Sequence, residues 1–561
     1  MRKASLVLVS LWAICLLVFG AATPAISTCD DDDPGFSEEI AGCTAGSFGR
    51  GATTDGSVIT FQSADCGSCD TALWLVPAGK YKVGDKRYLY NIPQVSGGGP
   101  IEEKMVKSPW YLEQKEDSYK YFVGVFGHMN EYQLGISEST RGAHSAFNNS
   151  YGIMCVTELS RLAMERCKTA REAIQLMGHV AELYGFHGYS TGEALEVSDT
   201  KEAWHFEIYR PGPLWHPDPV TGIDPTGRLG CAWVAQRVPE DEVCIDPNLP
   251  RIGVIDLDDH ENFMYSANIL TLGAERGRYT PGTPADMRAI YGSNMNASVR
   301  LWNIYRILAP SLYGNMPYSS DIRDYPFSFK PDTKLGVADV NRIFRNNAEG
   351  TDYDNTSGIA AGPWGNPQHY GATRLAPTPA SEYIDITQSR GWLPDPIGGI
   401  FWWANHTLNT SVPKPYYVGV DRIPEGENYS SRIEFNPKSY FWAFDFVNGW
   451  AMINWMGMYP SIRQTYEALE SQMYEDLATV DQEALKIYLG QRPIPKGKGN
   501  NWTTLNEYLT RFCIDNAEYV VNSWWDLANY LMVNFDSNSF PRNNADGVRI
   551  RPQANWMEVI D

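Results

Sequence analysis

The chain lacks a second long apolar run. Beyond its first segment, no stretch reaches the roughly 18 uninterrupted apolar residues that a membrane-crossing helix needs, so no span is expected after that segment is removed. It is also short of positive charge. Its 46 Lys and Arg stand against 67 Asp and Glu, a formal charge of −21, whereas nucleic-acid binding requires clustered cations that release phosphate counterions. Nucleic acid is therefore excluded as a partner. The nine histidines offer Cys66-x-x-Cys69 no second pair of zinc ligands at suitable spacing. Asp30 to Asp33 lacks the alternating ligands and glycine of a calcium loop and reads as a solvated charge run. There is no internal repeat of about 20 to 50 residues.

What is present begins with a three-part secretory layout. Basic Arg2 and Lys3 precede an apolar stretch from Leu6 to Phe19, followed by small residues from Ala21 to Ser27. Export is expected, with cleavage after Ala25 or Ser27. Lipidation of Cys29 is the alternative, poorly served by Thr28. The remainder of the 561 residues exceeds the size at which one simple core stops growing. A hydrophobic fraction of 43%, with 18 Trp and 32 Tyr, supplies a packed interior. Of the ten cysteines, Cys15 leaves with the signal and Cys29 with a propeptide. Cys231 and Cys244 make a plausible local disulfide. Cys66 and Cys69 read as a local disulfide or as two unrelated thiols. Setting Cys43 aside, the count of the others is odd, which leaves at least one free thiol.

Asp55-Gly56 is a strong two-residue turn between Cys43–Ala52 and the alternating Ser57–Phe61. The two arms should pair, returning Gln62 to Asp65 to the neighbourhood of Cys43. Further strands are expected over 122–126, 134–137 and 204–208. Thr169-x-x-Glu172 is a capping box opening a helix through Ile174, Met177, Ala181 and Tyr184. Trp215 to Gly230 is a long loop. Ile462, Tyr466, Leu469, Met473, Leu477 and Val480 share one face of a helix. Gly188-x-Ser190-x-Gly192 matches a serine nucleophile elbow by spacing, but that elbow needs a strand before it and a helix after, and a glycine-rich turn is the better reading. The aromatic runs Phe401-Trp402-Trp403 and Trp524-Trp525 are core by default. Seven Asn-x-Ser/Thr sequons, at Asn148, Asn296, Asn355, Asn405, Asn409, Asn428 and Asn501, are acceptors only in a host with glycosylation machinery.

Cys43 carries the chemistry. If the Gly42–Cys43 bond is cut, Cys43 gains a free α-amino group beside its own thiol. An α-amine titrating near pH 7.7–8.0 can take the proton of a thiol whose pKa is about 8.5 as the sulfur attacks. The competing reading is a buried or disulfide-bonded cysteine near a mature terminus.

The run Cys43-Thr44, then Ala52-x-x-Asp55-Gly56-Ser57-Val58-Ile59, then Asp65 resembles the amino-terminal signature of the C69 dipeptidase family, relatives of choloylglycine hydrolase and penicillin V acylase. Asn130-Glu131 with Gly135-Ile136-Ser137-Glu138-Ser139, Tyr184-Gly185-Phe186, Trp233-Val234-Ala235-x-Arg237, Asn248-x-x-Arg251, Glu349-Gly350-Thr351 and Ala361-Gly362-Pro363-Trp364-Gly365 continue the similarity in family order. The resemblance implies an α+β fold, a four-layer αββα sandwich of the N-terminal nucleophile hydrolase type, with a mostly helical C-terminal extension. It further implies autocleavage, Cys43 as nucleophile, Asp65 near the nucleophile amine, and dipeptides as substrates, with no cofactor or metal required. Asn268 is the oxyanion-donor candidate and Asn130 a second. One position departs: where many relatives carry a basic residue this chain has Gln62, and Arg50 or Arg141 are the available substitutes.

The organisation expected is a signal over 1–27, an acidic propeptide over 28–42, the hydrolase core over 43–290, and the rest of the sandwich with the helical part over 291–561. The function expected is an exported cysteine-type dipeptidase. The alternatives are an N-acyl amide hydrolase on the same fold and a non-catalytic cell-surface binding protein.

Overall fold

A computed structural model describes residues 42–535 except 94–95, 189, 294, 370–371, 431 and 492–503, with residue 360 described by its backbone only. The expected signal, all but the last residue of the expected propeptide, Cys15, Cys29, Asp30–Asp33 and the Asn501 sequon lie outside the described residues.

The fold is mixed α and β, with its strands paired antiparallel. The two arms do pair, but not through a two-residue turn at Asp55-Gly56: the ladder closes with Phe48 opposite Ile59 and residues 49–57 make the connection, in which Asp55-Gly56 is a local bend. Gly56 takes φ +80°, a left-handed conformation that costs glycine nothing, and Asp55 Oδ1 accepts from the Ser57 amide at 3.0 Å and its hydroxyl at 2.6 Å. Strands Thr44–Phe48 and Val58–Ala64 pair with Thr44 opposite Ser63 and Ala45 opposite Gln62, the expected return towards Cys43. Both are buried along their whole length because they are central. The seven-stranded sheet runs Ser328–Phe329, Val243–Asp246, Thr44–Phe48, Val58–Ala64, Tyr383–Ser389, Gly399–Asn405, Lys414–Tyr417. An eight-stranded sheet runs Phe263–Tyr265, Ala232–Val238, Ala203–Tyr209, Gly192–Ser198, Gly135–Arg141, Gly127–Asn130, Tyr121–Val123, Trp74–Val76.

Strands 44–48, 58–64 and 383–389 of the first sheet pack against 135–141 and its neighbours in the second. Helix Ala170–Tyr184 opens with the Thr169–Glu172 capping box and buries Ile174, Met177, Ala181 and Tyr184 against strands of the second sheet. Helices Tyr440–Ile453 and Leu505–Asn534 touch strands of the first sheet. With helix Trp455–Tyr488 they enclose a second apolar core around Phe444, Ile462, Met473 and Trp524. The expected stripe from Ile462 to Val480 is the buried face of that long helix, and the Phe401–Trp403 run is buried strand.

Three readings are settled by this arrangement. Cys66 and Cys69 form a disulfide. Cys231 and Cys244 do not pair; both are free and buried, because Cys231 enters strand 232–238 of one sheet while Cys244 sits in strand 243–246 of the other. Around Ser190 a helix ending at Tyr184 precedes a strand beginning at Gly192, the reverse of what a nucleophile elbow needs; Tyr189 itself lies outside the described residues.

The layer between the sheets is polar. Ser47 donates to Glu196 at 2.7 Å, and Thr60 meets Thr387 at 2.7 Å and Ser137 at 3.2 Å. His205 lies between Glu196 at 2.7 Å and Glu207 at 3.1 Å, and Glu207 also pairs with Arg141. Burial alone would depress the His205 pKa, but Glu196 and Glu207 outweigh it and push it up to about 10. An unfolded histidine titrates near 6.5, so between about pH 6.5 and 10 the folded protein holds a proton that the unfolded chain has lost. Stability is therefore expected to fall as pH rises through that window. Asp246, pushed up by burial to about 6, acts in the same sense at lower pH. Thermal midpoints measured from pH 6 to 10 should decline, and His205→Gln should flatten the decline.

Candidate active site

Cys43 stands at the entrance to strand 44–48, with its side chain 7% exposed. Gly42 before it has φ +134°, and a Cβ there would fall 2.6 Å from Asn248 Oδ1, so glycine is the residue that fits. Asn248 is fixed by its own bonds. Its amide N–H donates to Ser139 Oγ at 3.1 Å and its Nδ2 to the Thr140 carbonyl at 2.5 Å.

The antiparallel return brings Asp65 alongside. The Cys43 thiol donates to Glu138 Oε2 at 3.1 Å and receives the main-chain N–H of Asp65. The Asp65 carboxylate is fully enclosed. It accepts from Ser63 Oγ at 2.8 Å, from Ser381 Oγ at 2.5 Å and from the Arg374 guanidinium. Ser63 Oγ also receives the Thr44 N–H at 3.1 Å. Arg374 extends its Nη2 to the Gly42 carbonyl oxygen at 2.7 Å. The Cys43 carbonyl is held by Arg300 Nη1 at 2.6 Å, and the same guanidinium reaches Thr44 Oγ1, the Pro247 carbonyl and Asn248 Oδ1. Both carbonyls flanking the Gly42–Cys43 bond region are thus gripped by arginines.

Burial pushes the Cys43 thiol well above its ordinary range, and the charges of Glu138 and Asp65 push it further. Burial also raises the Glu138 carboxyl, which bonds to Thr140 Oγ1 at 2.8 Å and to Glu193 as well as to the thiol. Arg300, enclosed and facing Arg374, is pulled down to about 9 by burial and then by that second cation. In the uncut chain the sulfur is therefore a protonated thiol and a poor nucleophile. Reactivity would have to come from a base placed beside it.

The structure brings Cys43 and Asp65 together. It does not bring Asn268 to them. That residue follows edge strand 263–265, its Nδ2 donates to the Cys231 carbonyl at 2.9 Å, and it lines a cavity of about 410 Å³ with Trp215, Arg228 and Glu275. Asn130 is equally committed: its Nδ2 donates to the Met164 and Cys167 carbonyls, and its Oδ1 accepts from the Tyr132 and Leu134 amides. Asn130 thus has both amide hydrogens spent, and Asn268 stands beside a different cavity, which Cys43 does not line. The substitutes for the missing cation also lie elsewhere, Arg50 on exposed Glu240 and Arg141 on buried Glu207. Arg374 and Arg300 fill that place instead. Sequence reasoning missed both arginines and Ser381, because nothing local marks them. Glu138 lay in a segment of family resemblance but carried no assigned role.

The sequence model of peptidase family C69 matches residues 42–468. Similar proteins include one named "Probable dipeptidase" from Latilactobacillus sakei, 28% identical over 274 residues, covering 47% of this chain and 50% of that protein. "Dipeptidase A" from Lactobacillus helveticus is 23% identical over 71% of this chain and 80% of its own length. A "Probable dipeptidase" from Salmonella dublin is 24% identical over 70% of this chain and 84% of its own length.

Proposed function

The chain belongs to peptidase family C69, and from that membership and the surroundings of Cys43 we propose that it is an exported dipeptidase whose nucleophile is the Cys43 sulfur, uncovered by self-cleavage after Gly42. One observation carries the reading: an enclosed thiol whose preceding carbonyl is already hydrogen-bonded to a guanidinium, Arg374 on Gly42 at 2.7 Å. Two further observations support it. The family match begins at Gly42, and the contacts between the two antiparallel sheets agree with an N-terminal nucleophile hydrolase sandwich. The relatives' names supply the substrate class.

Self-cleavage begins when the sulfur attacks the Gly42 carbonyl carbon. The peptide C–N bond breaks, the Cys43 nitrogen takes the thiol proton, and Gly42 is left as a thioester on Sγ. Water hydrolyses that ester, releasing the Gly42 carboxylate and a mature chain with a free Cys43 amine and thiol. In turnover the amine accepts the thiol proton as sulfur attacks the substrate carbonyl, then delivers it to the departing amino acid. Water, deprotonated by the same amine, resolves the acyl-enzyme. Glu138, whose carboxylate lies 3.1 Å from the sulfur, is the acidic group we assign to the substrate's α-ammonium. A peptide with a free α-amine is thereby preferred over an N-acyl amide.

The test is the amino-terminal mass of purified active protein, with rates for free and N-acetylated dipeptides. Cys43 as first residue and hydrolysis confined to free dipeptides are expected. An intact Gly42–Cys43 bond in fully active protein overturns the mechanism, and faster hydrolysis of N-acyl amides overturns the substrate class.

A further inference from the structure

A buried donor with no acceptor costs about 1–3 kcal/mol, so folded proteins carry few of them. Among the described residues three such donors stand at the Cys43 site, Gln62 Nε2, Tyr383 Oη and Arg300 Nε. Arg300 already spends its terminal nitrogens on the Cys43 and Pro247 carbonyls, whereas Gln62 and Tyr383 are wholly shielded from solvent with no other donor bond from these groups. Gln62 lies opposite Ala45 on one side and Asp385 on the other, placing it between the strand entered through Cys43 and the strand that Tyr383 begins. The orientation of its amide is determined. Oε1 accepts the Glu138 N–H, and the reverse orientation would set two donors face to face. Nε2 is therefore the end left free, and it belongs to a side chain touching the residue that receives the Cys43 thiol.

Tyr383 is opposite Ala64 on the next strand. Its ring is stacked on Trp403 at 4.3 Å and meets the edge of His128 at 5.7 Å, so the hydroxyl is held in position. Cys43 and Glu138 are among the groups whose charge it feels. Both donors lie on one flank of the Cys43 strand, in the next two strands of the sheet. Two rigid, dry donors with nothing to bind beside a nucleophile match what a tetrahedral intermediate requires: fixed dipoles that need no reorganisation when negative charge develops. Asn130, with both amide hydrogens given to the Met164 and Cys167 carbonyls, has no such capacity.

We propose that Gln62 Nε2 and Tyr383 Oη are the oxyanion donors for the substrate carbonyl attacked by Cys43, unpartnered in the uncut chain because their acceptor arrives only with the substrate. This assignment rests on Cys43 being the nucleophile. It gives the self-cleaving carbonyl and the substrate carbonyl separate partners, Arg374 for the first and the Gln62–Tyr383 pair for the second. It also accounts for a neutral amide at position 62: an NH2 group offers a directed donor to an oxyanion without adding a third cation beside Arg300 and Arg374.

The experiment compares full-length Tyr383→Phe and Gln62→Leu with the parent, with activity expressed per mole of cut amino terminus counted by mass spectrometry. Each is expected to lower kcat about 100-fold, with KM within about twofold. Affinity for a dipeptide aldehyde, which adds the sulfur to form a hemithioacetal, should fall by the same factor as kcat/KM. Tyr383→Phe breaks no hydrogen bond among the described residues, so its thermal midpoint should match or exceed the parent's; a purely structural tyrosine would lose both together. Full kcat in both variants, or loss of rate only in parallel with loss of stability, overturns the proposal. So does failure of both to self-cleave at an unchanged midpoint, which would place the donors on Gly42. Cys43→Ala separates the two levels: if it still hydrolyses dipeptides, the nucleophile reading itself is wrong; if it is inert while Tyr383→Phe runs at full rate, only the oxyanion assignment falls.

Discussion

Replacing Cys43 by alanine is expected to leave the Gly42–Cys43 bond uncut and to lower dipeptide hydrolysis by about 10,000-fold or more, with a stability loss of only about 2 kcal/mol. The size of the effect follows from what surrounds the sulfur. The hydroxyls around the site are already committed, Ser63 and Ser381 to the Asp65 carboxylate at 2.8 and 2.5 Å and Thr140 to Glu138 at 2.8 Å, and a hydroxyl is a far weaker nucleophile than a thiolate. The stability change is modest because Glu138 keeps its bonds to Thr140 and Glu193, so the loss is the thiol's two hydrogen bonds, to Glu138 and from the Asp65 N–H, about 1 kcal/mol each. Intact mass, dipeptide turnover and thermal midpoint together check the result. A cut or active Cys43→Ala protein would remove the basis of the proposed mechanism. Cys43→Ser tests the same point more finely. A hydroxyl is far less acidic than a thiol, so cutting should be slowed rather than abolished, and the full-length chain should accumulate before it disappears.

Features governed by neighbouring residues were legible in advance. The Thr169–Glu172 cap and the Ile462–Val480 stripe each express a rule acting over a few residues, and each stands where that rule puts it. The pairing of the two arms around Asp55-Gly56 also forms, but through a nine-residue connection, 49–57, rather than a two-residue turn. The nearness of Cys43 to Asp65 was legible because one hairpin of two adjacent strands fixes it, even though its connection is longer than the two-residue turn expected. The rest of the site was not. Arg300, Arg374, Ser381 and Tyr383 reach Cys43 from a helix, loops and a strand more than 250 residues away, and tertiary packing and sheet order decide their meeting. Strand 383–389 lies beside 58–64 although the eight-stranded sheet is threaded between them in the chain. The Cys231–Cys244 pairing failed on the same ground: a short separation in sequence hides the change of sheet between them. Asn268 failed because an asparagine before a helix has a local use, here bonding the Cys231 carbonyl, that spacing alone does not separate from a catalytic one.

Arg374→Met is expected to slow self-cleavage by about 100- to 1000-fold, the penalty for losing one fixed oxyanion donor, and to do so by a route separable from folding. As sulfur adds to the Gly42 carbonyl carbon, negative charge collects on the oxygen that already lies 2.7 Å from Arg374 Nη2. The same guanidinium pairs with enclosed Asp65, so its loss also strands a buried carboxylate. Breaking a buried pair from one side costs about 3–5 kcal/mol, moderated here because Arg374 is partly exposed and Ser63 and Ser381 still bond to Asp65. The two effects part in the double variant Asp65→Asn/Arg374→Met. Removing both charges takes away the stranded carboxylate and should recover much of the thermal midpoint, yet no cation returns to the Gly42 oxygen, so the uncut chain should persist. Arg374→Lys retains charge but loses the fork that lets one guanidinium hold Asp65 and Gly42 at once, and should cut at an intermediate rate. Normal cutting in the double variant would show that the Gly42 carbonyl needs no cation, and Arg374 would then act only through Asp65.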